Sequence, residues 1–198
     1  MNEQDIKELE EKVDNKPRKN SFVKDLIKDI LIALIIVVAI TLVIKPTIVK
    51  EDSMLDTLQE NNYLFINKMA YKFKDHPNRG DIIVFRSDIT NPETGKPMLL
   101  IKRVIGVEGD VITFKDDQVY RNGEIVPENY LYIESPKKRN YPNGRQIRVD
   151  NDEVFVMGDH RSVSRDSRDE GVGNIQEDDI VGKAFIRLYP FNEFGLLD

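Results

Sequence analysis

The pattern of apolar and polar positions divides the chain into one long apolar run and a larger region of short apolar segments. The run ILIALIIVVAITLVI extends from Ile30 to Ile44 without a charge. It is apolar on every side, whereas a helix in a protein core normally carries a polar stripe. At 1.5 Å per residue it covers about 22 Å of the roughly 30 Å of hydrocarbon, so flanking residues and snorkelling lysines must complete the span. The pattern predicts a transmembrane helix over residues 25–45, ended by Pro46.

Two other interpretations of the apolar run remain open, a buried core helix and a cleavable signal peptide. A signal peptide would have an unusually long n-region here, and no small-x-small cleavage site follows the run. An uncleaved signal-anchor fits better. Its orientation follows from the basic residues, which are more numerous before the run than after it: Lys16, Arg18, Lys19, Lys24 and Lys28 against Lys45 and Lys50. The positive-inside rule therefore predicts a cytoplasmic tail over residues 1–24 and an extracytoplasmic domain over residues 46–198.

Beyond residue 46, the short apolar segments are typical of β-strands. They are rich in β-branched and aromatic residues and are bounded by Gly, Asn, Asp or Pro. Strands are predicted at 63–67, 81–85, 98–107, 111–114, 153–158 and before Pro190, and loops at 88–98 and 135–146. Asn122-Gly123 predicts a two-residue hairpin turn within 118–126. The fold class is therefore mainly β, an antiparallel β-sandwich or open barrel that the tether KPTIVKED keeps close to the bilayer.

Composition excludes several classes of function. The net charge is −6, and both signs are spread along the chain, which argues against nucleic acid as a partner. Without cysteine there can be no disulfide, no thiolate zinc site and no cysteine nucleophile. The two histidines, His76 and His160, lie far apart, and no HExxH motif or glycine-rich phosphate loop occurs, so no metal or cofactor is expected. The class of chemistry that remains is hydrolysis by a hydroxyl nucleophile with a nearby base.

Lysine can act as that base only in an apolar setting that lowers its pKa from about 10.4. Alternation along the predicted strand 98–107 gives Lys102 apolar neighbours on its own face and directs Arg103 to the other face; the row is Met98, Leu100, Lys102, Val104 and Gly106. A lysine whose stem lies on a sheet edge and whose amine reaches water fits the same pattern. A Ser-His-Asp triad from His160 and Asp159 is a competing hypothesis, but neighbouring side chains usually diverge.

Four segments, in one order behind the apolar run, resemble the motif boxes of bacterial type I signal peptidases, the Ser/Lys proteases of peptidase family S26. They are SMLDTL at 53–58, RGDIIVF at 79–85, KRVIGVEGD at 102–110 and GDHRSVSRDSR at 158–168. The resemblance covers residues 30–194. It implies a monomeric serine endopeptidase of the cell membrane, without cofactor. Its substrates would be exported precursors whose signal peptides carry small residues before the cleavage site, and its other partner would be the lipid bilayer.

The resemblance also implies a role for individual residues. Ser53 would be the nucleophile, with its backbone N–H contributing to the oxyanion hole, and Lys102 would be the general base. Ser164 would orient the lysine amine by a hydrogen bond. Asp166 and Arg168 would form an ion pair that braces the site.

The resemblance further implies that Asp159 is a supporting residue of the same loop.

Several positions depart from the family pattern. Asp56 stands where a proline is usual. Glu51 stands where the family has glycine or a hydroxyl residue, and an ionised carboxylate cannot donate a hydrogen bond to an oxyanion. His160 replaces an asparagine, and Val-Glu at 107–108 replaces a hydrophobic-Pro pair. These departures leave open a second hypothesis, a catalytically weakened, signal-peptidase-like assembly factor such as a pilus-associated one.

Overall fold

The computed structural model describes residues 18–73, 75–92, 94–133, 139 and 141–197, with side chains from residue 22 onward. The chain divides into two compact units, the first ending at Leu42 and the second beginning at Val43. Of the predicted cytoplasmic tail, residues 1–17 lie outside the described residues. Residues 134–138 and 140, which include part of the predicted loop at 135–146, also lie outside them.

The described part of the first unit is one helix, α1 (Arg18–Val43), whose last residue is the first of the second unit. It begins earlier than the predicted span and ends at Val43, so Pro46 does not terminate it. The segment Phe22–Val43 has a mean hydropathy of 2.8 and is long and apolar enough to cross a membrane. None of its most apolar window is buried, which argues against the buried-core alternative. An exposed helix that is apolar on all sides fits a lipid-facing anchor.

The second unit consists of two antiparallel β-sheets. The larger has the order β1-β2-β11-β3-β4-β9-β10, with β12 paired to β11, and the smaller has the order β7-β6-β5-β8. The strands are β1 (Ile44–Ile48), β2 (Tyr63–Asn67), β3 (Ile82–Thr90), β4 (Pro97–Val107), β5 (Val111–Lys115), β6 (Gln118–Arg121), β7 (Glu124–Ile125), β8 (Gln146–Arg148), β9 (Glu153–Met157), β10 (Ile175–Gln176), β11 (Ile180–Tyr189) and β12 (Gly195–Leu196). The predicted class, mainly β with antiparallel sheets behind an apolar helix, is confirmed.

Local patterns located most of the longer strands. The strand predicted at 63–67 is β2, residue for residue. The predicted hairpin is formed by β6 and β7, and its turn residues Asn122 and Gly123 have φ angles of 54° and 87°. Positive φ at both central positions is what a type I′ turn requires, and Asn-Gly adopts it readily. The loop predicted at 88–98 is shorter, because β3 continues to Thr90 and pairs there with Pro97.

The segment predicted as a tether is instead part of the larger sheet. Residues 44–48 form β1, which pairs with β2, and Pro46 lies opposite Phe65. Proline is tolerated there because, among the described strands, β1 is at the edge of the sheet. The following residue, Val49, is buried, and its N–H donates to the Asn62 carbonyl oxygen at 3.0 Å. Residues 45–48 of the predicted tether are therefore not a free linker, since the sheet fixes the backbone that leads to Ser53.

Strand β4 lies between hydrophobic clusters of the second unit. Leu100 and Val104 belong to the cluster built with β3 and β9, whereas Ile105 belongs to the cluster that covers the smaller sheet. Ile101 packs against a third cluster, which contains the buried Met54 of the turn after β1. Lys102, in the middle of β4, is buried and is flanked along the strand by residues that pack into these clusters.

Candidate active site

The side chains of Ser53 and Lys102 meet in the interior of the second unit. Ser53 lies in a short 3-10 turn, Asp52–Met54, and Lys102 lies in the middle of β4. The Lys102 Nζ donates a hydrogen bond of 2.7 Å to the Ser53 Oγ. Lys102 is only 1% exposed and Ser53 4% exposed. Two residues that come from different sequence boxes, 49 positions apart, are thus brought into direct contact.

The surroundings of the Lys102 amine favour its neutral form. Burial lowers the pKa of Lys102 below its ordinary value of 10.5; the carboxylates of Asp166 and Glu51 partly oppose this shift, and the guanidinium of Arg168 supports it. Nζ also donates to the Ile101 carbonyl oxygen at 3.1 Å. Among the described residues it forms no ion pair. A neutral amine at this distance can accept the proton of a serine hydroxyl.

Asp166 and Arg168 form the ion pair that the family resemblance implied. Both contacts, Arg168 Nε to Oδ1 and Nη2 to Oδ2, measure 2.8 Å, and both side chains are buried. Asp166 Oδ2 also accepts the Gly158 N–H at 2.9 Å. Burial alone would raise the pKa of Asp166, but the hydrogen bonds and charge of Arg168 outweigh it and hold the pKa below its ordinary value. The bidentate pair fixes the loop 158–168.

Ser164 does not form the predicted hydrogen bond with Lys102. Its Oγ is buried and makes no hydrogen bond of standard geometry within the part of the chain that the structure describes. It lies beside the Asp166 carboxylate, where it contributes to lowering the pKa of Asp166. The structure therefore brings Ser164 to the edge of the site without joining it to the amine.

The loop 158–168 holds the turn that carries Ser53 through backbone contacts. The His160 N–H donates to the Ser53 carbonyl oxygen at 3.0 Å. A Cβ at position 158 would overlap both this oxygen and Ser164 Oγ, so the close approach of loop and turn requires Gly158. Position 158 therefore sets the distance between Ser53 and the loop.

Asp159 belongs to a buried network that sequence analysis did not detect. Arg103 Nε and Nη2 donate to its two carboxylate oxygens at 3.0 and 2.9 Å, and Thr57 Oγ1 donates to Oδ2 at 2.6 Å. Arg103 Nη1 reaches the Gly80 carbonyl oxygen at 3.0 Å, and its guanidinium lies 4.2 Å from the centre of the Tyr130 ring. Thr57, Gly80, Arg103 and Asp159 each come from a different motif box. Strand alternation correctly separated Arg103 from Lys102 but could not show that its own face is buried.

A largely apolar groove of about 660 Å³ runs from the start of β1 to Glu51, beside the turn that carries Ser53. Its two sides are formed by residues 45–51 and by the first half of β4, Pro97 to Ile101. Strand β9 pairs with β4 only from Arg103 onward, and β1 pairs only with β2 among the described strands. Both walls therefore present strand edges to which an extended peptide could hydrogen-bond.

Comparison with known proteins gives the same family as the motif boxes. The family model described as "Signal peptidase, peptidase S26" matches residues 23–189. "Probable signal peptidase I-2" of a Synechocystis strain is 33% identical over 100% of this chain and 86% of that relative. "Signal peptidase I P" of Bacillus subtilis subsp. natto is 37% identical over 90% of this chain and 96% of that relative. A crystal structure of a signal peptidase I from Enterococcus faecalis V583 is 30% identical, with a TM-score of 0.44 over 55% of this chain and 97% of the other. The predicted resemblance is confirmed, and this chain belongs to the signal peptidase family, peptidase S26.

Proposed function

We propose that this protein is a membrane-anchored serine endopeptidase that removes signal peptides from exported precursors, with Ser53 as nucleophile and Lys102 as general base. Family membership supports the reaction and the substrate class. The apolar helix α1 supports membrane anchoring. The observation that carries the residue assignment is the buried 2.7 Å contact between the Lys102 amine and the Ser53 hydroxyl.

The reaction follows from a neutral amine beside an alcohol. Lys102 takes the proton of Ser53 as the alkoxide attacks the scissile carbonyl, and it then gives the proton to the departing amine. The remaining acyl-enzyme is hydrolysed by a water molecule that Lys102 deprotonates. The developing oxyanion is stabilised by the backbone N–H of Ser53. In this mechanism Asp166, Arg168 and the other residues of the loop position this pair.

The groove supports an extended substrate. A peptide that pairs with the free edges of β1 and β4 would present its carbonyl carbon to Ser53 at the end of the groove. Its side chains would alternate between the apolar interior of the groove and the rim. By family resemblance, shallow pockets within the groove would accept small residues directly before the cut.

The topology of the protein in the cell membrane is part of the proposal. The excess of lysine and arginine before α1 supports a cytoplasmic N-terminus, with the second unit on the outer side, where precursors emerge.

Two substitutions test the mechanism. Ser53→Ala and Lys102→Met are each expected to abolish cleavage of a signal-peptide-bearing precursor by the full chain in detergent, because one lacks the nucleophile and the other the base. Circular dichroism should show the same β-sheet signal as the parent protein. Turnover retained in either variant would end this mechanism.

The non-catalytic assembly factor is the second candidate, and the exposed charges of Glu51 and Asp56 around the nucleophile favour it. A penem-type or lipopeptide acylating inhibitor distinguishes the two. A reactive Ser53 should gain the inhibitor's mass, and the Ser53→Ala chain should not. A Ser53 that stays unlabelled in a chain that cleaves no precursor would support the assembly factor instead.

A further inference from the structure

Glu51 is the acidic residue at the nucleophile end of the groove. Two backbone hydrogen bonds fix the chain just before it: the Val49 N–H donates to Asn62, and the Asn61 N–H donates to Val49, at 3.0 and 2.9 Å. Glu51 itself is extended, with φ −132° and ψ 153°, and it is exposed, whereas Ser53 is buried two residues later. Its carboxylate therefore stands on the rim of the groove from an anchored backbone.

Two lysines and one glutamate are the charged residues that line the groove within the described part of the chain. Lys45 lies at the far end, at the start of β1, and Lys50 and Glu51 lie toward Ser53. The Glu51 charge is felt at the reacting centre, because it is one of the groups that raise the pKa of Lys102 against the effect of burial. A substrate side chain that lies beside the Glu51 carboxylate is exposed to the same negative charge.

Strand geometry indicates which substrate side chain meets Glu51. In an extended peptide, successive side chains point to opposite faces. If the residue directly before the cut enters the groove, the penultimate residue points outward, toward the rim. We propose that Glu51 is a specificity-determining residue that favours precursors with a basic side chain at the penultimate position before the cut and disfavours an acidic one there. This inference rests on the proposed function, since it assumes that the groove holds the cleaved peptide. The physical basis is attraction or repulsion across a partly solvated rim.

Two synthetic peptides test the selection. They share one sequence with alanine directly before the cut and carry either Lys or Glu at the penultimate position. Their kcat/KM values are compared for the full chain in detergent at low ionic strength. The parent protein should prefer the Lys peptide by roughly three- to tenfold, because the attraction of Lys and the repulsion of Glu at a partly exposed site add together. Raising the salt concentration should weaken the preference.

Matched variants assign the preference to Glu51. Glu51→Gln should cleave both peptides at nearly the same rate. Asp52→Asn removes an equal charge from the next residue, which is exposed but does not line the groove, and should keep the preference of the parent protein. Equal rates for the two peptides in the parent protein, or an unchanged preference in Glu51→Gln, would overturn the inference.

Binding measurements separate this inference from the proposed function. The Ser53→Ala chain cannot form an acyl-enzyme, so its dissociation constants for the two peptides report groove selection alone. Tighter binding of the Lys peptide without cleavage by the parent protein would overturn the proposed function and leave charge selection standing. Cleavage of both peptides without any difference in binding or rate would overturn charge selection alone, and binding of neither peptide would overturn both.

Discussion

Two lysines of the larger sheet show how differently the same side chain can be used. Lys102 of β4 and Lys183 of β11 lie in one register row, each opposite Ile83 of β3. The amine of Lys102 is buried and contacts the hydroxyl of Ser53. The amine of Lys183 is partly exposed and forms a 2.6 Å ion pair with Asp81. Burial without a contacting carboxylate disfavours the ammonium form, whereas a carboxylate in contact stabilises it. The presence or absence of a counter-ion therefore distinguishes a candidate base from a structural cation.

The largest expected difference between the two lysines is in activity when each is replaced by arginine. A guanidinium stays protonated and cannot act as a base, so Lys102→Arg should lower kcat/KM for precursor cleavage by roughly 10³-fold or more. Lys183→Arg keeps a cation beside Asp81 and should stay within a few-fold of the parent protein. Rates of precursor cleavage in detergent test both. A large loss in Lys183→Arg, or near-normal activity in Lys102→Arg, would contradict the distinction.

Replacement by methionine should change the stability of the two variants in opposite directions. The pKa of Lys102 is lower in the folded protein than in the unfolded chain, where it is about 10.5. Above pH 10.5 the amine is neutral in both states, and burying it carries no electrostatic cost. As the pH falls below 10.5 the unfolded chain gains a proton that the folded protein binds less readily, so the cost to stability grows until the folded-state pKa is reached. Lys102→Met should therefore raise the free energy of unfolding at pH 7 by about 1–3 kcal/mol. Lys183→Met leaves the buried Asp81 without its cation. This substitution should lower the free energy of unfolding by about 1 kcal/mol.

Thermal unfolding of the detergent-solubilised chain at pH 7 and at pH 10.5 measures these shifts. The gain from Lys102→Met should shrink at the higher pH, because the unfolded-state amine then also loses its proton. A stability loss in Lys102→Met at both pH values would show that burial of the Lys102 amine does not destabilise the folded protein.

The smallest expected effect comes from the charge on Glu51, which raises the pKa of Lys102. Glu51→Gln should move the acidic limb of the kcat/KM–pH profile to lower pH, since a base with a lower pKa loses its proton earlier. Asp52→Asn serves as the matched control and should shift the limb less. A shift toward higher pH in Glu51→Gln would contradict this account of the amine.

The longer strands and the candidate residues could be predicted from the sequence because both rest on local patterns. The Asn122-Gly123 turn and the strand 63–67 are specified by residues that are neighbours along the chain. Strand β1 could not be predicted, because Lys-Pro-Thr carries no strand pattern and becomes a strand only by pairing with β2. The buried network of Arg103 could not be predicted either, because its partners Thr57 and Asp159 are 46 and 56 positions away.

The sequence by itself determined that Lys102 shares a strand face with apolar residues, since side-chain direction in a strand follows from alternation. It also determined the apolar helix and the four motif boxes. Only the tertiary structure decided that the Lys102 amine lies against Ser53, that Ser164 does not hydrogen-bond to it and that Glu51 lines the groove. These contacts join segments that are distant along the chain. They exist only when the sheets pair in one register and the backbone before Ser53 is fixed by β1, and no local pattern encodes that geometry.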